Sequence, residues 1–133
     1  MEGVKCSGSG TIKITSPVRT EAFSAGLSGS GDVLMDKLEA GELNVSISGS
    51  ADLKIKGGQV DQAEIKQSGS GDFHGENLAI GELTVSKSGS GNTHVGDLGK
   101  VSVKASGSGD VIYSGSPTIG EIKTSGSSSL RKR

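Results

Sequence analysis

A five-residue pattern, Ser-Gly-Ser-Gly-Asp or a close variant of it, recurs along the whole chain. Its copies begin at residues 7, 28, 48, 68, 88, 106 and 125, so successive copies lie 21, 20, 20, 20, 18 and 19 residues apart. A near-constant period of this length is typical of solenoid proteins, in which each repeat is one structural unit. The spacing therefore predicts a stack of similar coils rather than a flexible linker or a single phosphate-binding loop.

The residues around each copy alternate between apolar and polar. The clearest column lies three residues before the first serine, where every copy has an apolar residue: Val4, Ala25, Val45, Ile65, Val85, Val103 and Ile122. Apolar residues recur at the odd offsets, and polar residues such as Lys54 and Lys66 occupy the even offsets. This period of two predicts half-buried β-strands.

Short strands joined by corners within a repeat of this length predict a parallel β-helix of about six coils, with ~20 residues in each coil. Residues 1–130 are expected to form one β-helical domain, and residues 131–133 a basic C-terminal tail. A further leucine column, Leu38, Leu78 and Leu98, precedes a glycine that predicts a turn, at Gly41, Gly81 or Gly99. Two residues are missing from this segment in the 18-residue repeat, as expected for a corner.

The two glycines of the pattern have two interpretations. Either they supply a positive φ angle at a corner, or they are small because the interior is narrow there. Ala51 replaces the second glycine in one copy, and alanine tolerates close packing better than it tolerates a positive φ angle. This replacement favours the narrow interior.

Composition excludes several classes of partner and site. The chain has 14 Lys and Arg against 15 Asp and Glu, so the basic surface that binds nucleic acid is not expected. No apolar stretch reaches transmembrane length and no signal segment is present, so direct insertion into a membrane is not expected. Cys6 is the only cysteine, which excludes an intrachain disulfide.

The fifth residue of each copy is the first candidate for chemistry. Asp32, Asp52, Asp72 and Asp110, with Asn92 between them, are expected to stack roughly 5 Å apart on successive strands. Calcium binding would relieve the repulsion between these carboxylates. The alternative is that each side chain accepts hydrogen bonds from local backbone N–H groups.

A second candidate is the pair His74 and His94, which share one offset in adjacent coils and are expected to stack on the outer face. Two histidines can contribute to a transition-metal site, but such a site needs further ligands. Lys54 takes the next position in the same column and opposes a cation. We therefore interpret the pair mainly as surface, and we expect no cofactor.

The array resembles a known family in three segments of the chain. These are Ser-Gly-Ser-Gly-Asp-Val at 28–33, Leu-Glu-Ala-Gly-Glu-Leu-Asn-Val at 38–45, and Asp-Val-Ile-Tyr-Ser-Gly-Ser-Pro at 110–117. It resembles the putative auto-transporter adhesin head GIN domain family of gram-negative envelope proteins. That resemblance implies a right-handed parallel β-helix, export to the periplasm or cell surface, and no catalytic residues.

The expected function is a structural or interaction module, either an adhesin head or a rigid spacer, that contacts a cell-surface protein or a glycan. One alternative is a scaffold whose exposed terminal coils stack end to end into homo-oligomers, as in bactofilins. Another is a carbohydrate-binding or carbohydrate-active β-helix. Catalysis is not expected, because the corner carboxylates Glu39, Glu42, Glu76 and Glu82 have no long loops beside them to form a cleft.

Overall fold

The computed structural model describes residues 3–15, 17–75, 77–114, 118–126 and 129–132, and every regular element in these ranges is a β-strand. In chain order the strands are β1 (Gly3–Cys6), β2 (Thr11–Ile14), β3 (Val18–Leu27), β4 (Asp32–Met35), β5 (Leu38–Ile47), β6 (Asp52–Ile55), β7 (Gly58–Gln67), β8 (Phe73–Gly75), β9 (Leu78–Lys87), β10 (Thr93–Ala105), β11 (Asp110–Ser114), β12 (Thr118–Thr124) and β13 (Ser129–Lys132). No helix in the described part of the chain could cross a lipid bilayer.

The strands form two parallel stacks. The long-strand sheet follows the order β1-β3-β5-β7-β9-β10-β12, and the short-strand sheet follows the order β2-β4-β6-β8-β10, extended by β11 and β13. Together they make a solenoid of about 5 turns. The predicted all-β parallel β-helix is confirmed. In β13, Arg131 pairs with Ile112 and Lys132 with Tyr113.

Equal offsets of the repeat stack in register. Val45 pairs with Ile65, Ile65 with Val85, and Val85 with Val103. Most positions that the alternation assigned to the interior are buried, and Phe23, Leu53 and Val95 are among the fully enclosed side chains, but Ile122 is 38% exposed. Burial of these aliphatic stacks and the parallel ladders between coils stabilise the fold together.

The two glycines of the pattern have different roles. The first glycine of each copy has a positive φ, between 75° and 97°, so it supplies the left-handed corner that other residues adopt only with strain. The second has no positive φ and lies against the coil below, so a Cβ on Gly71 would meet Ile47 Cγ2 at 2.7 Å. The interpretation from Ala51 therefore holds for the second glycine and is wrong for the first.

The turn predicted at Gly41, Gly81 and Gly99 is wrong, because these glycines lie inside β5, β9 and β10. The inward alternation changes phase at this point instead. Ile80 and Leu83 are both buried, and the two residues between them are exposed. The register of β9 with β7 is the same on both sides, although Gly81 itself has no register partner in β7. The break in the strand comes earlier, as at residues 36–37 between β4 and β5.

The shortened repeat removes that break. Leu98 pairs with Ile80 rather than with Leu78, so the two missing residues belong to the corner that follows Val95. As a result β10 runs without interruption from the short-strand sheet into the long-strand sheet. The deletion falls at a corner, as expected, and it joins the two sheets covalently within one strand.

Candidate functional site

The aspartate ladder, which we define as Asp32, Asp52, Asp72, Asn92 and Asp110, is joined from Asp52 onward by hydrogen bonds between coils. The Asp72 N–H donates to Asp52 Oδ1 at 2.9 Å, and the Asn92 N–H donates to Asp72 Oδ1 at 2.7 Å. The Asp110 N–H donates to Asn92 Oδ1 at 2.9 Å. Each of these side-chain oxygens accepts the N–H of its counterpart one coil further along. The predicted role as backbone acceptor is therefore present, but the donor lies in the next coil rather than in the local turn.

The ladder does not form a multidentate cluster with other acidic or histidine side chains. Within the described ranges, no group of three or more His, Cys, Asp or Glu residues is placed to hold a metal ion. The amide of Asn92 also interrupts the run of carboxylates and makes the same inter-coil bond. Calcium binding by Asp32, Asp52, Asp72 and Asp110 stays a prediction, and its test is given in the Discussion.

The rings of His74 and His94 stack as predicted. Their centroids lie 5.0 Å apart and their planes differ by 12°. Lys54 is the register neighbour of His74, so a cation lies at one end of the stack. A metal ion lies close to the ring plane of each histidine that binds it, and two nearly parallel planes do not meet near both rings. One ring would have to rotate before both could ligate one ion.

A polar cluster lies inside the solenoid, next to the corner. Among the residues whose burial is described, Gln67, Lys87 and Thr93 are the buried polar side chains, with exposures of 4%, 4% and 0%. Gln67 Nε2 donates to the Gly71 carbonyl at 2.9 Å and to the Asn92 carbonyl at 3.2 Å. Thr93 Oγ1 donates to Gln67 Oε1. These bonds satisfy groups that would otherwise destabilise the core.

Lys87 is the one cation in this cluster. Its Nζ donates to the Asp110 carbonyl at 3.3 Å. Burial lowers the pKa of Lys87 from 10.5 to about 8, and the carboxylates of Asp110 and Asp72 oppose that change. The sequence did not predict this group, because its column mixes Leu27 and Ile47 with Gln67 and Lys87 and so does not reveal which face it takes. The side chain of Cys6, in the same column, lies outside the described part.

A hollow lies on the outer face of the long-strand sheet. It has a volume of about 800 Å³, and its lining includes Lys66, Lys104 and Lys123 together with serines of the corner. A second hollow of about 780 Å³ is lined by Lys5, Gly26 and others. Ser46 and Lys66 line both hollows, so the two adjoin at these residues and follow one another along the solenoid axis.

We call this feature the axial trough and define it by one register column: Lys5, Gly26, Ser46, Lys66, Ser86, Lys104 and Lys123. The glycine and the serines of the column are small, so a depression remains above them, and the lysine side chains project from it. A parallel column of corner serines, Ser68, Ser88, Ser106 and Ser125, borders the trough. The alternation predicted these side chains to face outward but did not predict that they form a depression.

The trough is electropositive along its floor. Lys66 Nζ lies 3.4 Å from Glu64 Oε1, and Lys123 Nζ lies 3.2 Å from Glu121 Oε1, so two of its lysines have an acidic neighbour in the adjacent column. Lys5 and Lys104 form no ion pair with any described residue. The exposed pairs contribute little stability and leave their cations accessible to other anions.

Comparisons with known proteins agree with this architecture. The crystal structure of a putative adhesin from Parabacteroides distasonis ATCC 8503 superposes with a TM-score of 0.91 at 23% sequence identity. The match covers 98% of this chain and 55% of that one, so the chain spans about half the length of that protein. A search of curated proteins gave no match. The model of the family described as "Putative auto-transporter adhesin, head GIN domain" matches residues 1–117. The chain therefore belongs to the auto-transporter adhesin head GIN domain family.

Proposed function

We propose that the chain is a non-enzymatic interaction module, an adhesive head carried by an exported protein of the bacterial envelope. The observation that carries this proposal is the in-register stack of coils, in which each outward position of the repeat recurs as a column along the axis. A protein built in this way presents long, regular faces. Such faces suit contact with an extended partner better than with a small molecule, which needs an enclosing pocket.

The surroundings of Glu39 and Glu82, which lie in β5 and β9 rather than in corners, support a role without catalysis, and Glu76 lies outside the described residues. Glu39 lies 2.8 Å from Arg19 Nε and 3.3 Å from Lys37 Nζ. Glu82 accepts a hydrogen bond from Gln62 Nε2 at 3.3 Å and lies 3.9 Å from Lys100 Nζ. These carboxylates are therefore engaged in surface ion pairs. Paired acid and base carboxylates would instead face one another across a substrate cleft.

The family supports export, since its description is that of an auto-transporter adhesin. We place the protein in the periplasm or on the cell surface on this basis. The stack of backbone ladders suits such a location, because its stability depends on hydrogen bonds and aliphatic packing rather than on a cofactor or a disulfide framework.

Adhesion is tested with beads that carry the chain through one C-terminal biotin. The beads are applied to monolayers of epithelial cells and to bacterial lawns, with beads carrying the heat-unfolded chain as the control. We expect saturable binding that free folded chain competes away. Binding no greater than that of the control beads on every surface would contradict the proposal.

Light scattering after size-exclusion chromatography, over a hundredfold range of concentration, separates a head domain from a self-assembling scaffold. An adhesive head is expected to keep one small mass at all concentrations. A mass that grows without limit would instead support end-to-end stacking through the terminal coils.

A further inference from the structure

We propose that the axial trough binds a linear anionic polysaccharide that lies along the solenoid axis. This inference rests on the proposed adhesive function and names the class of its partner. The trough has the length, the charge and the hydroxyl groups for such a chain, and these three properties come from different columns of the repeat.

The lysines of the trough are spaced along one line. Lys66 and Lys104 are separated by one intervening strand, at Ser86, and Lys123 follows Lys104 directly. Neighbouring strands lie about 4.8 Å apart, which places the backbones of Lys66 and Lys104 about 10 Å from one another along the axis. Repeated cations on a line complement a polymer whose anionic groups also recur along a line.

Polar hydrogen-bonding groups accompany the cations. The corner serines donate their backbone N–H to the preceding coil, as Ser88 does to the Gln67 carbonyl at 2.8 Å and Ser106 does to the Lys87 carbonyl at 2.9 Å. Their hydroxyls, on exposed residues, therefore project from a fixed backbone. A row of hydroxyls held in this way can exchange hydrogen bonds with sugar hydroxyls along the polymer.

The chemistry of the trough favours an anionic sugar over other polymers. Neutral glycans are usually held by stacking on aromatic rings, and none of the residues that line either hollow is aromatic. Single-stranded nucleic acid also relies on stacking, and duplex DNA requires a denser basic footprint than a chain of net charge −1 carries. Charge pairing and hydroxyl contacts remain, and a carboxylated or sulfated polysaccharide uses both.

A polymer also explains how weak individual contacts can give binding. Each exposed lysine contributes little by itself, because water and salt screen it. A chain bound at one lysine holds its next anionic group near the next lysine, so later contacts form at a high effective concentration. The open trough therefore suits a long ligand and would hold a single small anion poorly.

The test uses the full chain and two matched double variants. K66S/K104S places serine at two trough positions, as Ser46 and Ser86 have naturally, and K13S/K54S removes two exposed lysines from the short-strand sheet. Both variants change the net charge equally. Equal thermal stability of the three proteins establishes that each is folded. Binding is measured by calorimetry or biolayer interferometry in 0.15 M salt.

The probes are polygalacturonate, dextran sulfate, neutral dextran and a 20-base-pair DNA duplex. We expect polygalacturonate or dextran sulfate to bind, and K66S/K104S to weaken that binding about tenfold, against less than about twofold for K13S/K54S. The probe that binds more tightly identifies the anionic group that the trough prefers, a carboxylate for polygalacturonate or a sulfate for dextran sulfate. Equal weakening by both variants, equal binding of neutral dextran, or tighter binding of the duplex would overturn the inference.

The bead experiment separates this inference from the proposed function. If K66S/K104S beads adhere as well as unmodified beads, the chain is an adhesive head whose contact surface is not the trough. If unmodified beads do not adhere although polygalacturonate binds the trough, the adhesive function fails and the trough site stands.

Discussion

At the scale of single residues, the buried amine of Lys87 is the group whose placement most affects stability. It occupies a mixed column in which other coils place Ile47, Gln67 and Ala105, so a charge lies among aliphatic and amide side chains in the interior. A Cβ on Gly109 would meet Lys87 Cε at 2.5 Å, so the second glycine of that copy leaves room for the amine. The lysine and the glycine therefore depend on one another.

The lowered pKa of Lys87 predicts a specific pH dependence. Between about pH 8, its folded pKa, and pH 10.5 the unfolded chain binds more protons at this residue, so the free energy of unfolding should rise with pH across that window. Below pH 8 the full cost of burying the charge is present. We therefore expect Lys87→Met to raise the free energy of unfolding at pH 7 by about 1–2 kcal/mol, with the advantage shrinking towards pH 10.

Urea denaturation at pH 7 and pH 10 measures this effect. Lys104→Met, at an exposed position, is the control, and its difference from the unmodified chain should not change with pH in this way. A Lys87→Met variant less stable than the unmodified chain at pH 7 would show that the hydrogen bond to Asp110 outweighs the burial of charge.

At the scale of elements, neighbouring strands adjust to one another in volume. Phe73 in β8 is fully buried and pairs with Leu53 below and Thr93 above. Gly75 lies two residues further along, and a Cβ on it would meet Phe73 Cε1 at 2.8 Å. The Phe73 ring therefore occupies the space that Ile55 fills in the preceding coil. Phe73 together with Gly75 thus takes up about the same core volume as Leu53 together with Ile55.

Exchanging the pair tests this compensation. Gly75→Ile alone should lower the free energy of unfolding by about 2 kcal/mol through overpacking, and Phe73→Leu alone by about 1 kcal/mol through a void. The double variant places Leu and Ile where the preceding coil has Leu53 and Ile55. Its loss in free energy of unfolding should be smaller than the sum of the two single losses by at least about 1 kcal/mol. Thermal or chemical denaturation of the four proteins gives the coupling, and strict additivity would contradict it.

At the scale of the whole molecule, the aspartate ladder links coils that are distant in sequence. The hydrogen bonds that the side chains of Asp72 and Asn92 accept show that a carboxylate oxygen and an amide oxygen make the same contact. Asp72→Ala should therefore lower the free energy of unfolding by about 1 kcal/mol, whereas Asp72→Asn should leave it within about 0.5 kcal/mol. Denaturation of both variants tests this expectation.

The same ladder decides the calcium hypothesis. If the carboxylates serve the backbone, the melting temperature should be the same in 5 mM calcium and in EDTA. A calcium-bound ladder would instead melt at a higher temperature as calcium is added, because a ligand that binds only the folded state stabilises it by mass action. Asp72→Asn would then reduce that increase.

The sequence by itself determined the architecture. The period of the repeated pattern and the inward alternation specify stacked strands, since only in-register stacking buries columns such as Val45, Ile65 and Val85 at once. The stacking of His74 on His94 follows from the same register, because equal offsets lie above one another. These features depend on periodicity, which is a property of the chain alone.

Only the tertiary structure decided the features that depend on the distance between coils. It separated the two glycines of each copy, because a corner needs a positive φ while the next position needs space above the coil below. It placed Lys87 in the interior, and it showed that Gly81, where a turn was predicted, lies within a continuous strand. The axial trough belongs here too, since its depth depends on which side chains project beside one another across five or more coils.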